Sequence, residues 1–128
     1  MDKVILVDAV YCLVDEKGDI NVELKQYLDS LENRKIVVTN APLEKYKIYF
    51  KNLKDYEIFT LQRNPMKSNP EYFKILLSNF NLKAEEVIYF EHNEEAVKSA
   101  KSAGIITFHY NKDKKDIKSL REFIKSQL

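Results

Sequence analysis

With a single cysteine, Cys12, the chain cannot form an internal disulfide, and with two histidines and no Cys-x-x-Cys pair it lacks the clusters of a structural zinc site. That usage fits a reducing compartment, so a cytoplasmic location is expected. Excess charge is missing too. The 21 Lys+Arg and 20 Asp+Glu leave +1 at pH 7, and no global field draws the chain to nucleic acid or to an anionic membrane. No apolar run approaches bilayer-spanning length, and the opening stretch MDKVILVDAVYCLVDEKG has too short an apolar segment, flanked by acids, for a signal peptide. The expectation is a soluble protein with a small or neutral partner.

What is present suffices for one domain spanning 1–128, since 128 residues at 45% hydrophobic can bury a single core. Five short apolar runs, at 4–7, 36–38, 58–61, 87–90 and 105–108, lack strict alternation. Continuous β-branched and aromatic runs of this length suit strands covered on both faces. Helical spacings separate them: Val22, Leu24, Tyr27, Leu28 and Leu31 after Asn21 as N-cap; Leu43, Tyr46, Phe50 and Leu53; Tyr72, Phe73, Leu76, Leu77 and Phe80 after Asn69-Pro70, with Asn81 as stop. Ala96, Val97, Ala100 and Ala103 precede Gly104, and Ile117, Leu120, Ile124 and Leu128 form the last stripe. This alternation predicts an α/β fold, a doubly wound, Rossmann-like five-stranded parallel sheet flanked by helices. Only 13–20 breaks the pattern; a turn centred on Lys17-Gly18 predicts a small hairpin projecting from the end of the first strand.

Ligands of such sheets bind beyond the carboxyl ends of the strands, where strand order reverses. Asp8 ends the first run, Thr39-Asn40 follow the second, Lys67 lies in the loop after the third, and Glu91-His92-Asn93 follow the fourth. In this order the stretches Val-Ile-Leu-Val-Asp8-Ala9-Val10-Tyr11-Cys12-Leu13, Lys-Ile-Val-Val-Thr39-Asn40, Lys67-Ser68-Asn69-Pro70 and Val87-Ile88-Tyr89-Phe90-Glu91-His92-Asn93, the last leading to Ala103-Gly104, resemble the four motifs of the haloacid dehalogenase superfamily. The resemblance covers nearly the whole chain.

It implies a haloacid dehalogenase-like fold and Mg²⁺-dependent hydrolysis of a phosphoryl ester or anhydride. Asp8 would be the nucleophile that forms an aspartyl phosphate, with Thr39 and Lys67 as further catalytic residues. Thr39, Asn40 and Lys67 would bind the substrate, a phosphate on a small molecule or on a macromolecule, aided by the backbone amides around Ala9 and Val10. Mg²⁺ would be held by Asp8, the Val10 backbone carbonyl and Glu91. The stretch between Leu13 and Thr39, and that between Leu61 and Lys67, are too short for a cap, so no cap domain is expected.

Besides Glu91, which replaces the commoner Asp, four positions depart from the family pattern. Val10 stands where its phosphatases carry the acid that protonates the leaving group, Tyr11 replaces a glycine, Cys12 a threonine or valine, and His92 a second acid. These departures support an alternative, a catalytically degenerate module that keeps the fold for binding or assembly. Plainer roles also exist for single residues. Asp8 can cap a turn, Glu91 and His92 can be an exposed pair opening the fourth helix, and Cys12 can be a small packing residue.

Overall fold

A computed structural model describes residues 2–128. Its strands are β1 (Val4–Asp8), β2 (Lys35–Thr39), β3 (Glu57–Thr60), β4 (Val87–Glu91) and β5 (Ile106–His109). Its helices are α1 (Val22–Asp29), α2 (Tyr46–Tyr49), α3 (Glu71–Asn79), α4 (Glu94–Ser102) and α5 (Ile117–Gln127). All strands pair in parallel in the order β3-β2-β1-β4-β5.

Burial on both faces explains why the strands read as unbroken apolar runs. Ile5 and Val7 of β1, Val37 of β2 and Ile88 and Phe90 of β4 pack with Leu24, Leu28, Leu120 and Ile124 of α1 and α5. Their neighbours Val4, Leu6, Ile36, Val38, Val87 and Tyr89 pack on the opposite side with Tyr72, Phe73 and Leu76 of α3 and Ala100 of α4. Successive strand residues point to opposite faces, so one continuous run feeds two cores.

The helix ends follow local chemistry. The Asn21, Asn93 and Asp116 side chains accept backbone N–H groups of Leu24, Ala96 and Ser119 at 3.2, 3.0 and 3.0 Å, as N-caps do. Asn81, in the left-handed conformation at φ 54°, follows the end of α3.

Two sequence expectations need correction. The apolar spacing from Leu43 to Leu53 is not one helix: a 3₁₀ turn over Leu43–Lys45 leads into the single turn of α2, and Phe50 and Leu53 reach the core from the turns beyond it. Burial, not helicity, set that spacing. The 13–20 segment does form a turn, closed by the Asp15 amide on the Asp19 carbonyl at 3.0 Å. It does not project, however: Gly18, at φ 85°, lies so close to α2 that a Cβ there would meet the Ile48 carbonyl oxygen at 1.9 Å, and its own carbonyl accepts the Asn52 side-chain amide at 3.1 Å.

The chain moves from β1 outward through β2 to β3, then returns to place β4 on the other side of β1. The order therefore reverses between β1 and β4, and the ends of these strands are where a ligand crevice forms. Neither of the short connections that might carry a cap holds a domain. Among the described residues no helix is long and apolar enough to cross a membrane.

Candidate active site

Asp8 ends β1 at this reversal, 1% exposed, at the base of an open cleft of about 430 Å³. The cleft is also lined by Val10, Tyr11, Thr39, Asn40, Lys67, Glu91 and His92. The residues singled out from the sequence are thus brought together, from four loops at one end of the sheet.

Lys67 is the hub. Its Nζ donates to Asp8 Oδ1 at 2.8 Å and to Glu91 Oε1 at 2.7 Å, with all three side chains almost wholly buried. Asn40, expected to touch substrate, also braces this lysine, since its Oδ1 accepts the Lys67 backbone N–H at 2.7 Å. Thr39 is held from behind: its amide donates to the Tyr72 hydroxyl at 3.1 Å, and that hydroxyl donates to its carbonyl at 2.8 Å. The Thr39 Oγ1 accepts the Ala41 amide at 3.0 Å.

Both carboxylates are heavily engaged. Asp8 Oδ2 accepts the His92 backbone N–H at 3.1 Å and the Cys12 thiol at 3.2 Å, and it contacts His92 Nδ1. Glu91 Oε1 also accepts the Tyr89 hydroxyl; its Oε2 accepts the Asn93 N–H at 3.0 Å and lies 3.2 Å from His92 Nδ1.

Burial alone would push the Asp8 carboxyl up, but Lys67 and hydrogen bonds from its neighbours, His92 among them, outweigh it and hold Asp8 well below the usual carboxylate range. Glu91 goes the other way, raised by burial and then by the Asp8 charge, with Lys67 only partly offsetting them. Burial works against the charges of Lys67 and His92 as well. The adjacent carboxylates prevail, keeping the Lys67 ammonium protonated and lifting the His92 imidazole above its ordinary value. Burial, then the Asp8 charge, pushes the Cys12 thiol well up.

The loop after Asp8 retains a turn despite its unusual residues. Tyr11 adopts φ 73°, a left-handed conformation costly for a residue with a Cβ and natural to glycine. Its ring does not crowd the turn: it is 45% exposed, sits edge-on to His92 at 5.4 Å between ring centroids, and lies under the Lys112 ammonium at 4.4 Å. The Tyr11 amide donates to the Val14 carbonyl at 2.7 Å and the Val14 amide to the Ala9 carbonyl at 3.1 Å, so this bridge leaves the Val10 amide and carbonyl out. The Val10 side chain offers the cleft no acid.

Sequence reasoning passed over two neighbours of Asp8. His92 lies between β4 and the N-cap of α4 but is not a solvated surface group, and Cys12 does more than pack, because both reach Asp8 Oδ2. Asp8, Cys12 and His92 form a group that could hold a metal ion. The ion implied by the family resemblance, Mg²⁺, takes oxygen donors in an octahedron. These residues do not fit it: Glu91 has both oxygens occupied by protein groups, and Asp8 Oδ2 faces a nitrogen and a sulfur.

No family model and no curated protein matches the sequence. Solved structures do match. A haloacid dehalogenase family enzyme from Bacteroides thetaiotaomicron, crystallised as a mutant with magnesium and inorganic phosphate, superposes with a TM-score of 0.73 at 16% identity, over 85% of this chain and 94% of that one. The core domain of a protein assigned as a phosphoglycolate phosphatase from Streptococcus pneumoniae gives 0.61 at 19%, over 86% and 80%. A haloacid dehalogenase-like protein of unknown function from Agrobacterium tumefaciens gives 0.62 at 15%, over 83% and 61%. At these identities it is the architecture that is shared: the chain has a haloacid dehalogenase-like fold.

Proposed function

We propose that the chain hydrolyses a phosphoryl ester or anhydride, with Asp8 as nucleophile and an aspartyl phosphate as intermediate. One observation carries this reading: the Asp8 carboxylate, 2.8 Å from the Lys67 ammonium, lines a cleft at the point where strand order reverses. A carboxylate attacks phosphorus only where the charge of the phosphoryl oxygens is balanced. Lys67 supplies that balance beside Asp8, Thr39 and Asn40 line the approach, and Arg63 adds a second cation to the cleft wall. The Bacteroides enzyme holds inorganic phosphate on the same fold, a ligand of the class proposed here.

The attack joins an Asp8 oxygen to phosphorus and expels the leaving oxygen with its electron pair; water then cleaves the acyl phosphate. With Val10 in place of an acid, the leaving group departs without a proton, so acyl and aryl phosphates are favoured over alkyl phosphates. The uncapped cleft suits a phosphate borne on a large molecule as well as a small one.

The test is phosphate release from an acyl and an aryl phosphate by wild type and Asp8→Asn, with mass spectrometry for phosphorylated Asp8. Release that is lost with Asp8→Asn supports the reading; release unaffected by it overturns the assignment of the nucleophile. A second reading, a binding or assembly module without catalysis, is favoured by the saturation of Asp8, whose two oxygens already meet Lys67, His92 and Cys12. Phosphate bound in the cleft with no turnover of any phosphoryl donor would favour it.

A further inference from the structure

We propose that Asp8, Cys12 and His92 form a binding site for a divalent transition-metal ion of the zinc type, selective against Mg²⁺. The proposal takes over from the proposed function only the location of the site; it stands on the donor set and not on turnover.

The three donor atoms, a carboxylate oxygen, the Cys12 Sγ and a His92 ring nitrogen, all lie within 4.8 Å of one another. Zinc-type ions hold such donors at about 2.0–2.3 Å, which places an oxygen and a sulfur around a tetrahedral ion about 3.5 Å apart. Cys12 Sγ and Asp8 Oδ2 are 3.2 Å apart already. His92 Nδ1 lies against the same oxygen and needs only to draw back to admit the ion. Lys67 donates to the other oxygen, Oδ1, which leaves the Oδ2 side of the carboxylate to the ion.

The fold supplies this arrangement for a stated reason. Asp8 and His92 come from the ends of β1 and β4, which pair side by side in the sheet. Cys12 is returned to Asp8 by the left-handed turn at Tyr11, closed by the Cys12 amide on the Ala9 carbonyl at 3.1 Å. Asp8 and Cys12 are 1% and 3% exposed, which shields a thiolate–metal bond from solvent, while His92 faces the cleft and leaves a coordination position open toward it.

Selectivity follows from the donors. Nitrogen and thiolate suit zinc, cobalt and related ions, whereas Mg²⁺ demands oxygen and gives up its water reluctantly.

Cobalt(II), a spectroscopic stand-in for zinc, is the probe. Titrating the metal-free, full-length protein with Co²⁺ is expected to produce a near-ultraviolet thiolate-to-cobalt charge-transfer band. Zn²⁺ should displace it at stoichiometric concentration and Mg²⁺ should not, even in large excess. Cys12→Ser should abolish the band, and His92→Asn should weaken binding by about tenfold or more. Circular dichroism checks that the variants fold; if either does not, the competition between Zn²⁺ and Mg²⁺ on wild type decides. Absence of the band, its persistence in Cys12→Ser, or displacement by Mg²⁺ at concentrations that match Zn²⁺ would overturn the proposal. Failed metal binding with Asp8-dependent phosphate release intact would remove this inference and leave the hydrolytic reading standing; bound cobalt without turnover would do the reverse.

Discussion

Replacing Lys67 with methionine keeps most of the side chain's volume and removes its charge from between two buried carboxylates. In the folded protein the ammonium makes contacts of 2.8 and 2.7 Å to Asp8 and Glu91, and its side chain is 7% exposed. Removing one partner of a buried ion pair leaves uncompensated charge and costs about 3–5 kcal/mol. For a chain of 128 residues that corresponds to a fall in Tm of about 12–20 °C. The loss should depend on pH in a definite sense. Burial and the Asp8 charge already push the Glu91 carboxyl up to about 7, and without Lys67 it rises further. A group whose folded value lies above its unfolded value favours the fold below the unfolded value, and that support is lost as pH rises through the folded one. The deficit of Lys67→Met relative to wild type should therefore be larger at pH 8 than at pH 5. Asp8, held low in the folded wild type, contributes its share of the loss at both. Adding Glu91→Gln removes the second buried charge and should restore more than half of the lost stability at pH 8. Thermal and urea unfolding at the two pH values measure all of this. A loss below about 1 kcal/mol, the range of an exposed ion pair, or a deficit equal at both pH values, would refute the claim that Lys67 holds the site together.

Tyr11→Ala keeps the left-handed backbone while losing the contacts with His92 and Lys112, whereas Tyr11→Gly loses the same contacts and relieves the strain; the glycine variant should be the more stable by about 1 kcal/mol in urea unfolding, and equal stabilities would contradict the left-handed turn. Val10→Asp should raise alkyl phosphate hydrolysis by about tenfold or more, because Val10 lines the cleft two residues after Asp8; steady-state rates that stay flat for Val10→Asp and for Val10→Asp with Tyr11→Gly would count against hydrolysis at this site. Gly18→Ala should destabilise by about 2 kcal/mol or more, since a methyl group would meet the Ile48 carbonyl oxygen at 1.9 Å on a backbone of positive φ; a negligible change in the urea midpoint would mean that the 13–20 turn is not packed against α2.

Local pattern was enough for the elements, their order and the strand ends. Runs such as Val-Ile-Leu-Val before Asp8 need no distant partner to be recognised as doubly covered strand, and Asn21 and Asn69-Pro70 mark helix starts through their own backbone chemistry. The expected candidates Asp8, Thr39, Asn40, Lys67 and Glu91 followed from those strand ends and from the order of the motifs. What each of them touches was not legible, because the contacts join residues far apart in the chain: Lys67 and Asp8 are separated by 59 positions, and His92 and Asp8 by 84. Only the placement of β4 beside β1 brings His92 to Asp8, and only the conformation of Tyr11 turns the Cys12 thiol back onto the same carboxylate. The second helix failed for a related reason, since Phe50 and Leu53 bury their side chains whether or not the backbone between them is helical, and apolar spacing reports burial alone. Sequence determined the strands, every helix but the second, and the end of the sheet where chemistry gathers. Tertiary structure decided which atoms meet there, because the charge, burial and donor set around one carboxylate are set by neighbours that the order of residues does not place side by side.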